Sequence, residues 1–190
     1  EIRKRTKPMV VAANKMDTPE AQANWKAITS DPDYDHLSFV PASAHAEKAL
    51  KNANEAGVVD YTPGESDFDV VGDVSGDQAA GLDQIGEFVA EYDGTGVQGA
   101  LESAVFDVLG CIAVFPGSAN GSKDEKGVFR DCFLLPEGST TEDFAFHIHS
   151  DIGEGLLHGT DCRSGRQVGT GHELDHRDVI ELVSTKQAAP

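Results

Sequence analysis

The sequence predicts an α/β protein made of two parts that meet near residue 109. Before that point, short apolar runs of strand length alternate with segments of helical spacing, a pattern typical of parallel strands joined by helices. After it come two strand-like runs, one helix and further strand-like runs. With 190 residues, the chain is long enough to bury a core in each part. We therefore expect residues 1–108 and 109–190 to be separate domains.

Apolar spacing and cap residues predict the first elements of the first part. Met9–Ala13 has the composition of a short buried strand, and Leu37–Val40 has that of the next strand. Between them, Pro19–Ile28 is predicted to be a helix with Thr18 as its N-cap, because proline suits the first position of a helix.

The rest of the first part is predicted to be helical apart from one excursion. Residues 60–77 are rich in Gly, Pro, Ser and Asp and are predicted to be irregular. The predicted helices cover residues 45–56, 78–92 and 97–109. The apolar face of the last helix is marked by Val97, Leu101, Val105 and Val108.

The second part has the element order of a small β-grasp, or ubiquitin-like, domain. Cys111–Phe115 and Val128–Leu135 predict a hairpin with a polar connection over residues 116–127. Ser139 and Glu142 fit a capping box for a helix that runs to about Ser150. That helix is predicted to bury Phe144, Ala145 and Ile148. Further strands are predicted over residues 156–161 and 179–183.

The motif with the clearest chemical meaning is Asn14-Lys15-Met16-Asp17, directly after the first strand. This is the N-K-x-D pattern that reads guanine in P-loop GTPases. The Asp17 carboxylate can accept from guanine N1–H and the 2-amino group together, whereas adenine offers neither donor. Asn14 is expected to tie the loop to its neighbours, and the Lys15 stem to cover one face of the base.

A second loop supports this interpretation of the motif. The next strand ends in Pro41-Ala42-Ser43-Ala44, and the backbone N–H groups of Ser43 and Ala44 are candidates to meet guanine O6. Two such loops at neighbouring strand ends would lie where α/β sheets bind ligands. The alternative is two surface turns that follow two strands.

The phosphate-binding parts of a GTPase are not in this sequence. No G-x-x-x-x-G-K-[ST] motif occurs, and the nearest approach, Gly117–Lys123, is better explained as a hairpin turn. D-x-x-G occurs at Asp73–Gly76, Asp83–Gly86 and Asp93–Gly96 among other places, so in a chain rich in Gly and Asp the motif carries little specificity. Because phosphoryl transfer needs ligands for phosphate and Mg²⁺, we expect no GTP hydrolysis by this chain alone. Starting at Glu1, it is expected to be the carboxyl-terminal part of a longer protein.

Charge is the extreme feature of the composition. The net charge is −18, from 15 basic and 33 acidic residues, and both parts are acidic. Such a coat on a folded chain suggests a halophilic source and argues against a general nucleic-acid surface. No signal peptide or membrane-length apolar run is present, so a cytoplasmic protein is expected. Three cysteines are predicted to be small buried thiols and not a zinc site: Cys111, Cys132 and Cys162.

The second part resembles a TGS domain, through Leu135-Pro136-Glu137-Gly138-Ser139-Thr140 and the helix that follows it. A guanine-reading region followed by a TGS domain is similar to the Obg-related GTPases, in particular the archaeal YchF-type branch. The similarity includes Tyr61-Thr62-Pro63-Gly64 and Thr95-Gly96. It implies GTP or GDP as ligand, with Mg²⁺ held by an upstream part, and a translation- or ribosome-associated role.

Other candidate sites have simpler explanations. His172-Glu173-Leu174-Asp175-His176 matches H-E-x-x-H, but a turn and strand are predicted there and not the helix that zinc binding requires. His149 is expected to pack or cap within the β-grasp core. Arg163 and Arg166 flank a Ser-Gly turn and are candidate contacts to a phosphate-bearing partner, although charge balancing explains them too. Two hypotheses follow: a GTPase fragment, or a non-enzymatic TGS module that docks RNA, a ribosome or a protein.

Overall fold

The computed structural model describes residues 9–117 and 128–186, and the chain divides into two compact units, residues 1–108 and 109–190. The first unit begins with strand β1 (Val10–Ala13), which pairs in parallel with β2 (Ser38–Pro41). Helix α1 (Pro19–Thr29) and a 3₁₀ turn connect them. The predicted strands and helix are confirmed, and Thr18 Oγ1 accepts from the Ala21 N–H at 3.3 Å as the N-cap.

The described part of the first unit also contains two longer α-helices and one short one: α2 (Ala44–Glu55), α3 (Gly76–Tyr92) and α4 (Val97–Glu102). The segment predicted to be irregular contains a two-residue hairpin, β3 (Val59–Asp60) with β4 (Asp69–Val70). The core of the unit lies between α2, α3 and the N-K-x-D loop. Its buried side chains are Met16, Ala46, Leu50, Val59, Tyr61, Phe88 and Val89.

The predicted helix over residues 97–109 is helical as far as Val108, but only its first half has the α-helical spacing on which the predicted apolar face depends. The α-helix ends at Glu102 and a π-helix, Ser103–Val108, follows it. Leu101, assigned to the apolar face, is 59% exposed. A π-helix has a wider turn than an α-helix, so a 3.6-residue spacing does not continue through it.

The second unit is a five-stranded mixed sheet with two helices. Its strands lie in the order β6-β5-β9-β7-β8, and β5 and β9 are parallel while the other pairs are antiparallel. The strands are β5 (Cys111–Pro116), β6 (Phe133–Pro136), β7 (Leu156–Asp161), β8 (Gln167–Val168) and β9 (Val179–Ser184). The helices are α5 (Thr141–Ile148) and α6 (Ser150–Gly155). This confirms the predicted α/β class and the β-grasp arrangement.

Several boundaries in the second unit differ from the prediction. The second strand is Phe133–Pro136 and does not extend back to Val128. The capping box of α5 joins Thr140 and Asp143, one residue beyond the predicted pair. That helix ends at Ile148, before the predicted end near Ser150, and a second helix, α6, follows it. Strand β8 was not predicted. Most of the connection predicted over residues 116–127, including the turn expected near Gly117–Lys123, lies outside the described residues.

The prediction of buried thiols is wrong for two of the three cysteines. Cys132 and Cys162 are exposed, and Cys111 is half-buried. Cys132 precedes β6 and Cys162 follows β7, so both stand just beyond the packed part of a strand. Partial desolvation still raises the pKa of both thiols. Within residues 9–117 and 128–186, no helix is long and apolar enough to cross a membrane.

Candidate functional site

The N-K-x-D loop lies at the carboxyl end of β1 and is fixed to the end of β2. Its anchor is Met16, whose side chain is 1% exposed and whose N–H donates to the Ala42 carbonyl at 3.0 Å. Gln22 of α1 donates from Nε2 to the Met16 carbonyl, also at 3.0 Å. Lys15 has a positive φ of 67°, which turns the chain sharply before Asp17. The apolar residue of the motif therefore holds the loop while its polar residues stay outside.

Asn14 joins the two predicted loops directly. Its Oδ1 accepts from the Lys15 N–H at 2.8 Å and from the Ala44 N–H at 3.0 Å. The second bond spans thirty positions of sequence. The prediction that Asn14 ties the loop to its neighbours is confirmed.

Asp17 is exposed and is available to a ligand. Within the part of the chain that the structure describes, its carboxylate accepts no hydrogen bond. The turn that presents it is closed by the Thr18 N–H, which donates to the Lys15 carbonyl at 2.9 Å. A free carboxylate on a closed turn is the arrangement that bidentate recognition of two N–H donors needs.

The first turn of α2 offers a different backbone N–H for a purine O6 than the sequence predicted. Ser43 is its N-cap, and its Oγ accepts from the Ala46 N–H at 3.1 Å. The Ala44 N–H, one of the two predicted donors, is already bonded to Asn14. Among the described residues, the His45 N–H has no partner, which leaves it free to donate to a ligand at the start of α2. Sequence reasoning did not identify His45.

A buried polar cluster lies behind this turn. Glu47, one helical turn after Ser43, is 5% exposed. Its Oε2 accepts from Thr95 Oγ1 at 2.6 Å and from the Tyr61 hydroxyl at 2.8 Å, and its Oε1 lies 3.2 Å from the ammonium of Lys51. Oε1 is buried and accepts no well-aligned hydrogen bond in the described structure, so Lys51 is its counter-ion.

The surroundings of the cluster favour a charged Glu47. Burial is the largest single influence and raises its pKa, but the hydrogen bonds from Thr95 and Tyr61, together with the nearby charge of Lys51, outweigh it and lower the pKa. Burial and the neighbouring carboxylate raise the pKa of Tyr61, so its hydroxyl remains a donor. The cluster therefore joins an ionised acceptor to two neutral hydroxyl donors.

A groove of about 820 Å³ lies between α2 and α3. Asp17 and His45 belong to its lining, whereas Asn14, Lys15 and Ser43 do not. A volume of this size suits a small-molecule ligand. The groove is next to the two loops and does not enclose them. Its apolar wall includes Ala49, Ala53, Val58, Leu82, Ile85 and Phe88.

In the second unit, the two candidate arginines lie on the exposed turn between β7 and β8. Arg163 Nη2 donates to the Arg177 carbonyl at 2.8 Å, which brings two of the basic residues close together. Acidic groups stand beside them. Asp161 Oδ1 accepts from the Arg163 N–H at 2.9 Å, and the pKa of Asp161 is lowered, first by the Ser164 hydroxyl and then by the Arg163 backbone N–H.

Two histidines of the second unit, His149 and His176, make hydrogen bonds within the protein. The segment that contains His172 and His176 consists of turns and a single bridge from Glu173 to Thr140, so the prediction that it is not a helix is confirmed. His176 Nδ1 accepts from the Ala113 N–H at 3.1 Å. His149 Nδ1 accepts from the Asp151 N–H at 3.1 Å and caps α6, as predicted. The described residues contain no His, Cys, Asp or Glu group suited to a metal ion.

Comparison with known proteins agrees with this architecture. Residues 12–118 match the model for "Obg-like GTPase YGR210-like, G4 motif-containing domain", and residues 120–184 match the TGS domain. A GTP-binding protein of Methanocaldococcus jannaschii is 36% identical over 188 residues, which are 97% of this chain and 47% of that protein. A GTP-binding protein of Schizosaccharomyces pombe is 33% identical over 150 residues, which are 70% of this chain and 35% of that protein.

A solved structure extends the likeness to three dimensions. The crystal structure of a GTP-binding protein from Pyrococcus horikoshii OT3 superposes with a TM-score of 0.67 at 33% identity. The match covers 97% of this chain and 48% of that one. The chain therefore spans about half the length of these archaeal relatives.

The matches define the class as an Obg-like GTPase region joined to a TGS domain. More narrowly, the chain belongs to the YGR210-like family of Obg-like GTPases and carries its G4 motif-containing domain. The predicted resemblance to Obg-related GTPases with a TGS domain is confirmed.

Proposed function

We propose that this chain supplies the guanine-reading loops and a docking domain of a GTP-binding protein. Asp17 accepts from guanine N1–H and the 2-amino group, and the Lys15 stem covers one face of the base. Asn14 holds the Ser43–Ala44 loop in place. The start of α2, with the His45 N–H as its free donor, faces O6.

One observation carries the proposal: Asn14 Oδ1 accepts from the Ala44 N–H at 3.0 Å. This bond brings the loop that carries Asp17 to the loop that starts α2. The edges of a purine are only a few ångströms apart, so a base reader needs its carboxylate and its amide donors at that separation. Two unrelated surface turns have no reason to share such a bond.

The phosphates and Mg²⁺ are proposed to be bound by another part of the protein. The sequence has no G-x-x-x-x-G-K-[ST] motif, and phosphoryl transfer depends on the groups that such a loop supplies. The relatives are about twice as long as this chain. GTP hydrolysis is therefore proposed for the longer protein and not for residues 1–190 alone.

Replacement of Asp17 by Asn tests the guanine proposal. In the full-length protein, Asp17→Asn should weaken GTP binding about 100-fold or more, because two charge-assisted hydrogen bonds are lost. It should improve binding of xanthosine triphosphate, since the amide can donate to the 2-carbonyl group that a carboxylate repels. Asp83→Asn, an equal change at an exposed position of α3, is the control. Unchanged GTP affinity in Asp17→Asn would remove this residue from the site.

The second unit is proposed to act as a docking module and not as a catalyst. The TGS match and the paired position of Arg163 and Arg177 support a phosphate-bearing partner, such as ribosomal RNA. Arg166, on the same turn, would extend this surface. Translation association rests on this proposal.

A further inference from the structure

We infer that Thr95 and Glu47 are positioning residues for the second guanine-contacting loop, an inference that rests on the proposed function. Glu47 lies on α2, one turn after its N-cap Ser43. The Glu47 carboxylate accepts from Thr95 Oγ1 at 2.6 Å, and the Thr95 carbonyl accepts from the Ser43 N–H at 2.9 Å. These bonds close a ring, from Ser43 through α2 to Glu47, across to Thr95 and back to Ser43. We call it the Thr95 brace.

A close steric contact also fixes the position of residues 95–96 next to the end of β2. Gly96 has a φ of +74°, and a methyl group on its Cα would collide with the Pro41 carbonyl oxygen. The chain at residues 95–96 is therefore pressed against the end of β2, where only glycine fits. Thr95 itself is 1% exposed, so its hydroxyl has no water to bond in place of Glu47.

The cluster also connects the brace to a third segment. The Tyr61 hydroxyl donates to the same Glu47 oxygen at 2.8 Å, and the Tyr61 N–H donates to Asn54 Oδ1 at 3.2 Å. Tyr61 thus bonds to Glu47 but not to Ser43, whereas Thr95 bonds to both Glu47 and Ser43. The Thr95 and Tyr61 hydroxyls therefore donate to the same oxygen of Glu47, but only Thr95 is also bonded to Ser43.

The position of the brace predicts which part of the base it controls. The start of α2 presents its amides to O6, while Asp17 reads N1–H and the 2-amino group from the other loop. Loss of the brace should loosen the O6 contact and leave the 2-amino contact intact. Comparison of GDP with two analogues tests each contact separately. The analogue 6-thio-GDP has a poorer hydrogen-bond acceptor at position 6, and IDP lacks the 2-amino group.

The test measures binding of GDP, 6-thio-GDP and IDP to the full-length protein. Thr95→Val removes the hydroxyl and leaves the shape of the side chain nearly unchanged. The preference for GDP over 6-thio-GDP should then fall by about fivefold to tenfold, because this change in affinity corresponds to the net free energy of one hydrogen bond. The preference for GDP over IDP should not change. Thr95→Ser, which keeps the hydroxyl, should restore wild-type behaviour. Tyr61→Phe is the matched control and should leave both preferences unchanged.

A general loss of stability would weaken the binding of all three nucleotides by the same factor. That result for Thr95→Val would overturn the inference. So would equal effects of Thr95→Val and Tyr61→Phe on the GDP to 6-thio-GDP ratio. Asp17→Ala tests the proposed function separately. If it loses the preference for GDP over IDP while Thr95→Val keeps the wild-type ratios, only the brace is wrong. If Asp17→Ala keeps full GDP affinity and selectivity, both proposals fail.

Amide hydrogen exchange in the wild-type protein provides a measurement that needs no variant. The Ser43 N–H should be among the slowly exchanging amides of the first unit, because it is buried and bonded to Thr95. The Asp33 N–H, bonded to an exposed side chain, should exchange faster. Exchange of Ser43 as fast as Asp33 would show that the brace is not formed.

Discussion

At the scale of single residues, two carboxylates of the first unit have opposite surroundings. Asp17 is exposed on a turn and accepts no hydrogen bond from the described residues, so its acceptor capacity remains for a ligand. Glu47 is buried, and Thr95, Tyr61 and Lys51 surround it. Asp17 can therefore bond to a ligand, whereas the bonds of Glu47 are made within the protein.

This contrast predicts a pH dependence for Glu47. Its pKa is lowered in the folded chain from an ordinary value of 4.5, so the ionised form contributes stability that is complete above that value. The contribution is lost as the pH falls through the lower, folded-state pKa. Glu47→Gln should therefore lower the free energy of unfolding by about 1–3 kcal/mol at neutral pH. The difference from wild type should shrink as the pH drops below about 4.5.

Urea unfolding at fixed KCl, followed from pH 7 to pH 3.5, measures this difference. Glu55→Gln changes the same residue type at an exposed position of the same helix and is the control. A Glu47→Gln deficit that stays constant over the whole range would contradict the lowered pKa, since it would mean that ionisation adds nothing.

Residue identity alone predicted part of the site. The N-K-x-D motif identified Asn14 and Asp17 as candidates, because the roles proposed for them depend on local chemistry at the end of a strand. Glu47 and Thr95 could not be recognised in this way, since they are far apart in sequence and meet only through the fold. The only signal was that Thr95-Gly96 and the segment beginning at Tyr61 took part in the family resemblance.

At the scale of elements, the sequence predicted what local periodicity controls. Helix α1, with Thr18 and Pro19 at its start, and the hairpin of β5 with β6 were predicted correctly in type. The cap of α5 was placed one residue early because Ser139 and Thr140 are both cap residues. The structure uses the Ser139 hydroxyl to donate to the Pro136 carbonyl at 2.7 Å, which leaves Thr140 to cap.

Long-range packing determines the form of the elements that the sequence did not predict. The two residues of β8 are a strand only because they pair with β7, and their own sequence has no strand-like run. The π-helix after α4 is likewise invisible to a search for α-helical spacing. Such short or irregular elements take their form from neighbours and not from intrinsic preference.

The turn between β7 and β8 carries the prediction for docking. Reversal of charge by Arg166→Glu should strongly reduce cosedimentation with ribosomes from the same source in molar KCl, because a phosphate contact becomes a repulsion. Arg163→Glu should act in the same direction. Arg130→Glu has the same charge change in the same unit, outside this turn, and is the control. Equal binding by wild type, Arg166→Glu and Arg130→Glu would exclude this surface.

At the scale of the whole molecule, the dominant property is the net charge of −18. Among the described residues, only two ion pairs join a lysine to an acidic group, Lys51 with Glu47 and Lys186 with Glu154, so most of the described carboxylates have no ion-pair partner. On α3, the acidic residues Asp83, Glu87 and Glu91 follow one another at four-residue spacing on one side of the helix. Like charges at this spacing destabilise a helix.

This repulsion predicts that stability rises with salt. The Debye length falls from about 10 Å at 0.1 M to about 3 Å at 1 M, which is shorter than the distance between neighbouring surface carboxylates on a helix. The melting temperature, followed by circular dichroism, should therefore increase strongly from low to molar KCl. The double variant Glu87→Gln/Glu91→Gln should melt higher than wild type at low salt and lose that advantage at high salt, because it removes a repulsion that salt otherwise screens. A wild-type melting temperature that is flat across the KCl series would reject the halophilic interpretation of the acidic coat.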